Sequence, residues 1–337
     1  MGAGPSLPSQ STHPQVGAGL SAGPVLLRSR LRPPAVRAGL VPRSRLDGLL
    51  EVGARGRLCL VDAPVGSGKT TLLAQWCLAD HGSRRVAWVS LDDSDDDPVR
   101  LWVDVIEAIR VAEPGFGEGL LGLLQGWGPA EVLTQVVLPR LLNELATSGS
   151  ELVLVLDDYH LIGDPTCHRT LGYFIDHLPA NAHLVVSTRV DPPLPLARLR
   201  ASGELTELRI AELGFTDTEA DRLLRDALGL DLSSQAVRRL WERTEGWAAG
   251  LVLAGLSLRG RADPWSFIGR RRGTRCALRP TQQGRRHRPC PRHRAPWEAG
   301  RGRAAPRPGP PGPGWRQLPA PVRAGDAGAG GRPPRPR

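Results

Sequence analysis

Short apolar runs alternate with longer stretches of helical periodicity along the middle of this 337-residue chain. The runs lie at residues 57–62, 85–90, 151–156, 183–188 and 205–210, and most are apolar throughout, as in strands buried on both faces of a sheet. Helical periodicity fills the intervals, at residues 70–80, 98–111, 131–147 and 167–178. Strands separated by helices indicate a parallel sheet covered by helices. The pattern therefore predicts an α/β fold.

The strand pattern stops near residue 210, and helical periodicity continues at residues 216–228, 233–242 and 246–258. We expect a sheet-based core over residues 25–210 and a helical lid subdomain over residues 211–268. Residues 1–24 are rich in Gly, Ser and Pro, and residues 269–337 are rich in Arg, Pro and Gly. Such segments bury too little apolar surface to offset their ordering entropy, so both are predicted to be disordered.

A glycine-rich segment joins the first predicted strand to the helix that follows it. Lys69 in this segment is the only lysine of the chain, which holds 44 Lys and Arg residues. Lysine presents a compact point charge, whereas the planar fork of arginine is too wide for a tight phosphate-binding loop. In a strand–loop–helix context, backbone N–H groups and the helix N-terminus bind nucleotide phosphates. The predicted nucleotide-binding residues are Ala63, Pro64, Val65, Gly66, Ser67, Gly68, Lys69, Thr70 and Thr71.

This loop departs from the general P-loop pattern at one position, because the first glycine of the pattern is replaced by Ala63. A glycine-rich turn without a ligand is the alternative interpretation. On the nucleotide interpretation, Lys69 reaches the β- and γ-phosphates and the Thr70 hydroxyl binds Mg²⁺.

Two later strands end in residues that suit phosphate chemistry. The apolar run at 152–156 delivers Asp157 and Asp158 to the strand end, where ligands bind in open α/β sheets. We expect Asp157 to hold Mg²⁺ and Asp158 to orient or deprotonate the attacking water. Arg189 follows the next strand, where its charge can stabilise the γ-phosphate. A helix-capping Asp pair and a simple surface arginine are the structural alternatives.

These motifs, in this order, resemble the nucleotide-binding module of MalT-type regulators, which are signal-transduction ATPases (STAND) and often LuxR-family transcriptional activators. The resemblance covers about residues 25–268. In that family the first loop position is often not glycine, so Ala63 fits it. The segments that carry the resemblance are 31–34, 41–46, 63–71, 75–76, 156–160, 187–189, 213–216 and 244–251.

The resemblance implies an ATP/ADP-controlled switch with slow hydrolysis, Mg²⁺ as the metal, and self-association in the ATP form. It also implies that residues 41–46 lie beside the adenine and that the helix at 246–251 closes over the nucleotide. We expect no specific DNA binding from this chain alone, because the sensor repeats and helix-turn-helix of the family are not found in the sequence.

The match ends near residue 268, where Arg, Pro and Gly take over, and we interpret the product as truncated or frameshifted there. Residues 269–337 hold 18 arginines against Glu298 and Asp326. So dense a positive charge raises an alternative function, non-specific nucleic-acid binding through this tail.

Three weaker features complete the interpretation. The acidic run at 92–97 lacks the spacing of a calcium loop, and Asp97 before Pro98 predicts a helix cap. His160 could be catalytic, but no carboxylate relay is visible in the sequence, so a structural position is favoured. Five scattered cysteines, no secretory signal and no apolar stretch of membrane length favour a cytoplasmic protein that does not enter a membrane.

Overall fold

A computed structural model describes residues 27–259, except for residues 38, 80, 81, 83 and 126–131. The predictions for residues 1–24 and 269–337, and for the last part of the lid, lie outside the described residues. Five strands form one fully parallel sheet in the order β2-β3-β4-β1-β5. They are β1 Leu58–Asp62, β2 Arg85–Ser90, β3 Leu152–Asp157, β4 Ala182–Thr188 and β5 Leu205–Leu208.

Helices connect the strands and then continue beyond the sheet. Those within the sheet region are α1 Ser44–Gly53, α2 Lys69–Cys77, α3 Pro98–Ala112, α4 Leu120–Gln125, α5 Leu138–Thr147, α6 Pro165–His177 and α7 Leu196–Ser202. Those after β5 are α8 Ile210–Leu213, α9 Asp217–Arg222, α10 Ser234–Thr244 and α11 Ala248–Leu258. One wide π-type turn, Leu133–Val137, leads into α5, and another, Leu223–Ala227, follows α9.

Alternate residues of the central strands enter two separate apolar cores. In β3, Leu152, Leu154 and Leu156 pack with α3 to α7 on one face, while Val153 and Val155 pack with α1 and α2 on the other. Burial on both faces is why these strands read as continuous apolar runs instead of alternating ones. The predicted α/β fold with a covered parallel sheet is confirmed.

Because all strands are parallel, their carboxyl ends meet at one edge of the sheet. Asp62 of β1 is level with Thr188 of β4, and Ser90 of β2 is level with Asp157 of β3. The sheet therefore gathers the segments that follow β1, β3 and β4 along one edge, as expected for a ligand-binding edge.

The helices after β5 build a third apolar core, which also includes Val41 from the segment before α1. The predicted strand at 205–210 is too long, since β5 ends at Leu208 and Ile210 begins α8. The Glu212 carboxylate accepts the Arg209 backbone N–H at 2.9 Å, which turns the chain into that short helix. No strand lies after β5 within the described residues.

The cap predicted at Asp97 is confirmed. Asp97 Oδ1 accepts the backbone N–H groups of Val99 at 3.0 Å and Arg100 at 2.9 Å, and Pro98 is the first residue of α3. A metal cluster built from three or more His, Cys, Asp or Glu side chains is absent from the described part of the chain. Within the same residues, none of the helices is both long and apolar enough to cross a bilayer.

Candidate functional site

The loop between β1 and α2 is folded tightly back on itself. Gly66 and Gly68 have φ angles of 74° and 89°, the left-handed region that favours glycine. The Ser67 hydroxyl donates to the Pro64 carbonyl at 2.7 Å, and the helix begins directly at Lys69. Positive-φ glycines that precede a helix N-terminus form a concave set of backbone N–H donors, which is the geometry that binds phosphate.

Lys69 lies buried within this loop. Its ammonium group donates to the carbonyl of Ala63 at 2.7 Å and to that of Pro64 at 3.3 Å. Burial lowers the pKa of Lys69, and the charge of Asp158 is the largest opposing influence. The side chain is thus held as a point charge beside the loop and the strand acids.

Asp157, the last residue of β3, is 2% exposed. The Ser187 hydroxyl donates to its Oδ1 atom, and a side-chain hydrogen bond from Thr70 also holds it. Burial raises the pKa of Asp157, while these two hydrogen bonds oppose that shift. The two residues predicted to bind metal, Thr70 and Asp157, are therefore brought into direct contact.

Asp158 sits in a different environment from its neighbour. Its backbone has a φ angle of 61°, an uncommon conformation that Asp tolerates better than most residues, and its N–H donates to the Ser187 hydroxyl at 3.1 Å. The Asp158 side chain is 36% exposed. Backbone in this region is retained where the surroundings fix it, often at functional sites.

Arg189 follows β4 at the same edge and is exposed. It is close enough for its charge to lower the pKa of both Lys69 and His160. The structure thus brings Lys69, Thr70, Asp157, Asp158 and Arg189 to one end of the sheet.

The lid contacts the loop directly through the residues that begin α11. The Ala249 backbone N–H donates to the Gly66 carbonyl at 3.0 Å, and the Trp247 indole N–H donates to the Val65 carbonyl at 3.2 Å. A Cβ atom at Gly66 would lie 2.7 Å from the Cβ of Ala249 and 3.1 Å from the Trp247 ring. The close approach of lid and loop therefore requires glycine at position 66.

The segment at 41–46 contacts the chain that leads into the lid. The buried Arg43 guanidinium donates to the carbonyls of Leu213 at 2.7 Å and Gly214 at 2.9 Å, and lies 4.3 Å from the centre of the Phe215 ring. Arg45 donates to the carbonyls of Glu212 and Gly214, both at 2.6 Å. The placement of this segment beside the adenine stays a prediction.

Sequence reasoning missed three parts of this site. Glu219 accepts hydrogen bonds from both Arg43 and Arg45. The one feature of the sequence that marks Glu219 is the capping box that it forms with Thr216. Ser187 and Trp247 lay inside motif segments without an assigned role, and their contacts with Asp157 and Val65 depend on tertiary structure.

The donor set fits a nucleotide with Mg²⁺. The loop supplies backbone N–H groups and a lysine for phosphate, and Thr70 with Asp157 supplies a hydroxyl and a carboxylate, the oxygen ligands that Mg²⁺ prefers. The two ring nitrogens of His160 are buried beside this set without a hydrogen-bond partner among the described residues, which leaves polar groups available to a ligand.

Related sequence occurs in the serine/threonine-protein kinase PknK of Mycobacterium tuberculosis, which is 37% identical over 242 residues, or 71% of this chain and 22% of PknK. The HTH-type transcriptional regulator MalT of Serratia proteamaculans is 37% identical over 235 residues, or 70% of this chain and 25% of MalT. The MalT of Yersinia enterocolitica is 36% identical over 235 residues and 26% of its length. The chain spans about a quarter of the length of these relatives.

Two solved structures are similar over most of the described chain. The Walker-type ATPase PABY2304 of Pyrococcus abyssi has a TM-score of 0.47 and 17% identity, and the match covers 71% of this chain and 72% of that one. The STAND protein PH0952 of Pyrococcus horikoshii has a TM-score of 0.48 and 16% identity, and the match covers 73% of this chain and 33% of that one. No protein-family model matches the chain. The relationship to MalT and PknK confirms the resemblance indicated by the motifs: this chain contains a MalT-type module that is homologous to part of each of those proteins.

Proposed function

We propose that this module is an ATP/ADP-controlled switch with slow hydrolysis, acting within a MalT-like LuxR-family transcriptional regulator. The observation that carries the proposal is the pair of hydrogen bonds from the lid to the carbonyls of Val65 and Gly66. These two carbonyls belong to the loop whose backbone would hold the phosphates. A shift of the loop on nucleotide exchange would therefore change the lid contact directly.

In this proposal each residue of the site has one task. Lys69 and the loop N–H groups bind the phosphates, while Thr70 and Asp157 hold Mg²⁺. The metal, when bound, neutralises charge that develops on the phosphate oxygens. Asp158 orients the attacking water and Arg189 stabilises charge on the γ-phosphate.

The ADP form would keep the lid closed on the loop, and the ATP form would loosen it and permit self-association.

We also propose a cytoplasmic location, which is supported by the free thiols of Cys59, Cys77 and Cys167. Nucleic-acid binding by residues 269–337 stays a prediction. Loss of DNA binding when those residues are deleted would favour it.

Calorimetric titration of the full chain with ATP and with ADP, each in the presence of Mg²⁺, tests nucleotide binding. We expect saturable binding that is lost in Lys69→Ala and also in Lys69→Arg, because the guanidinium is too wide for the buried position between two carbonyls. Circular dichroism of each variant provides the folding control. A folded wild-type chain that binds neither nucleotide would contradict the proposal.

A further inference from the structure

His160 has no role in the scheme above, yet its imidazole lies beside Asp158. It follows the two strand acids in the short helical turn Tyr159–Leu161, and its side chain is only 11% exposed. Nδ1 and Nε2 are both buried, and neither has a hydrogen-bond partner among the described residues. A buried polar group that stays unpaired costs about 1–3 kcal/mol, so native structures rarely leave one without a purpose.

Two other buried or half-buried histidines show how this chain treats a structural imidazole. His168 Nδ1 lies 2.8 Å from the Tyr159 hydroxyl, and His183 Nδ1 lies 2.9 Å from the Gly56 carbonyl. Each is anchored through at least one ring nitrogen. His160 lacks such an anchor, which argues against the structural role that its sequence position suggested.

The surroundings of His160 are the charged residues of the nucleotide site. Its Nδ1 atom lies 3.7 Å from Asp158 Oδ1, too far for a hydrogen bond but close enough to form one after a small movement. Burial, followed by the positive charge of Arg189, lowers the pKa of His160; Asp158 opposes this and Lys69 adds to it. The imidazole is therefore neutral at pH 7, with one nitrogen that donates and one that accepts.

The position of Asp158 decides which ring nitrogen of His160 donates a hydrogen bond and which accepts one. A carboxylate accepts hydrogen bonds, so the tautomer with a proton on Nδ1 is favoured by its neighbour. Nε2 then carries the free lone pair. A hydrogen bond formed across this pair would make the carboxylate–imidazole relay that was not visible in the sequence.

We propose that His160 binds and activates the water that attacks the γ-phosphate, and that Asp158 orients this water through the His160 imidazole instead of directly. This inference rests on the proposed nucleotide-switch function. In the step, the water oxygen forms a bond to the γ-phosphorus while the bond from that phosphorus to the β–γ bridging oxygen breaks. The water proton moves to Nε2, and the resulting imidazolium is stabilised by Asp158. The proton then passes to the released phosphate, which leaves with ADP and restores the neutral imidazole.

Two substitutions separate the two nitrogens of the ring. In His160→Asn the amide occupies the position near Nδ1 and leaves nothing at the position of Nε2, whereas in His160→Gln a polar atom reaches the position of Nε2 but cannot serve as a base. His177→Asn is the matched control, because His177 is exposed at the far end of α6 and stacks on Tyr173. The assay is single-turnover hydrolysis of ATP by the full chain, with calorimetric titration of ATP and thermal unfolding measured in parallel.

We expect His160→Asn to lower the single-turnover rate by about 10²–10⁴-fold, the usual contribution of a general base. His160→Gln should lie between Asn and wild type, and His177→Asn should match wild type. ATP affinity and melting temperature should stay at wild-type values in all three variants, which a merely structural role would not allow.

The inference is overturned if His160→Asn hydrolyses ATP at the wild-type rate, or if its rate falls only together with ATP affinity and melting temperature. It is also overturned if the wild type binds ATP but hydrolyses it no faster than Lys69→Ala. In that case the proposed binding switch survives. Absence of ATP binding by the folded wild type would remove the proposed function itself.

Discussion

Substitution of Gly66 tests whether the lid rests on the phosphate-binding loop in solution. Gly66 has a φ angle of 74°, so alanine there carries the left-handed backbone strain of about 1–2 kcal/mol. Its new Cβ would also lie 2.7 Å from the Cβ of Ala249, a separation that forces the lid helix or the loop to move. Overpacking of this kind costs about 1–3 kcal/mol. We therefore expect Gly66→Ala to lower the free energy of unfolding of the nucleotide-free protein by about 2–5 kcal/mol.

Gly68→Ala is a matched control within the same loop. Gly68 has a φ angle of 89°, but a Cβ there would meet only the Cβ of Ala248 at 3.9 Å, which is ordinary van der Waals contact. It should therefore show the backbone strain alone, about 1–2 kcal/mol. The difference between the two variants isolates the collision with the lid.

A double-mutant cycle with Ala249→Gly removes the colliding methyl group. The double variant Gly66→Ala with Ala249→Gly should recover about 1–3 kcal/mol relative to the sum of the two single changes. Urea unfolding followed by circular dichroism measures all four proteins. Equal destabilisation by Gly66→Ala and Gly68→Ala, with no coupling to Ala249, would show that the lid does not rest on the loop in solution.

Four further substitutions test the contacts of Arg43, the lid contact of Trp247 and a buried acid pair. Arg43→Lys should lower the free energy of unfolding by about 1–3 kcal/mol, because an ammonium cannot contact both carbonyls and the Phe215 ring face. Arg45 is more exposed, so Arg45→Lys should lower it by less than about 1 kcal/mol. Urea unfolding measures both variants, and a larger loss for Arg45→Lys than for Arg43→Lys would contradict this prediction. Trp247→Phe should cost about 0.5–1.5 kcal/mol in the same assay through loss of the indole donor to Val65, and an unchanged midpoint would show that this bond contributes nothing. Burial, followed by the nearby charge of Asp95, raises the pKa of Asp104 to about 7, so this carboxyl stabilises the fold below about pH 4 and that contribution is lost as pH rises through 7. Asp104→Asn should therefore gain stability relative to wild type between pH 5 and pH 8, and a constant difference across that range would contradict it.

The sheet and the site edge could be predicted because their determinants are local. Strands buried on both faces give unbroken apolar runs, and the loop at 63–71 carries its own glycines and lysine. Parallel pairing then places Asp157 and Thr188 at the same edge as Asp62 without further information.

The contacts between lid and core could not be predicted in the same way. Arg43 bonds carbonyls 170 and 171 positions away, and Trp247 bonds a carbonyl 182 positions away, so no local pattern records either pairing. The position of His160 beside Asp158 could not be predicted for a related reason. Its distance to Asp158 and its burial follow from the left-handed turn at Asp158, which sequence alone does not reveal.

Short helices were missed where their signals were weak. Helix α4 has six residues and α7 has seven, too few for a clear helical period. Helix α1 is longer, but no side-chain cap marks its start at Ser44. Of the three helices, α1 overlaps a predicted site segment, since its first three residues belong to the segment 41–46.

Hydrogen exchange at the Ala249 amide reports whether the nucleotide controls the lid, because this N–H is bonded to the Gly66 carbonyl when the lid is closed. Exchange of peptides covering residues 244–251 would be measured with ADP and with a non-hydrolysable ATP analogue, both with Mg²⁺. We expect slower exchange with ADP, by about tenfold if the two nucleotides differ by about 1.4 kcal/mol in their preference for the closed lid. Equal exchange rates with both nucleotides at saturation would contradict it, since the lid would then not respond to the γ-phosphate.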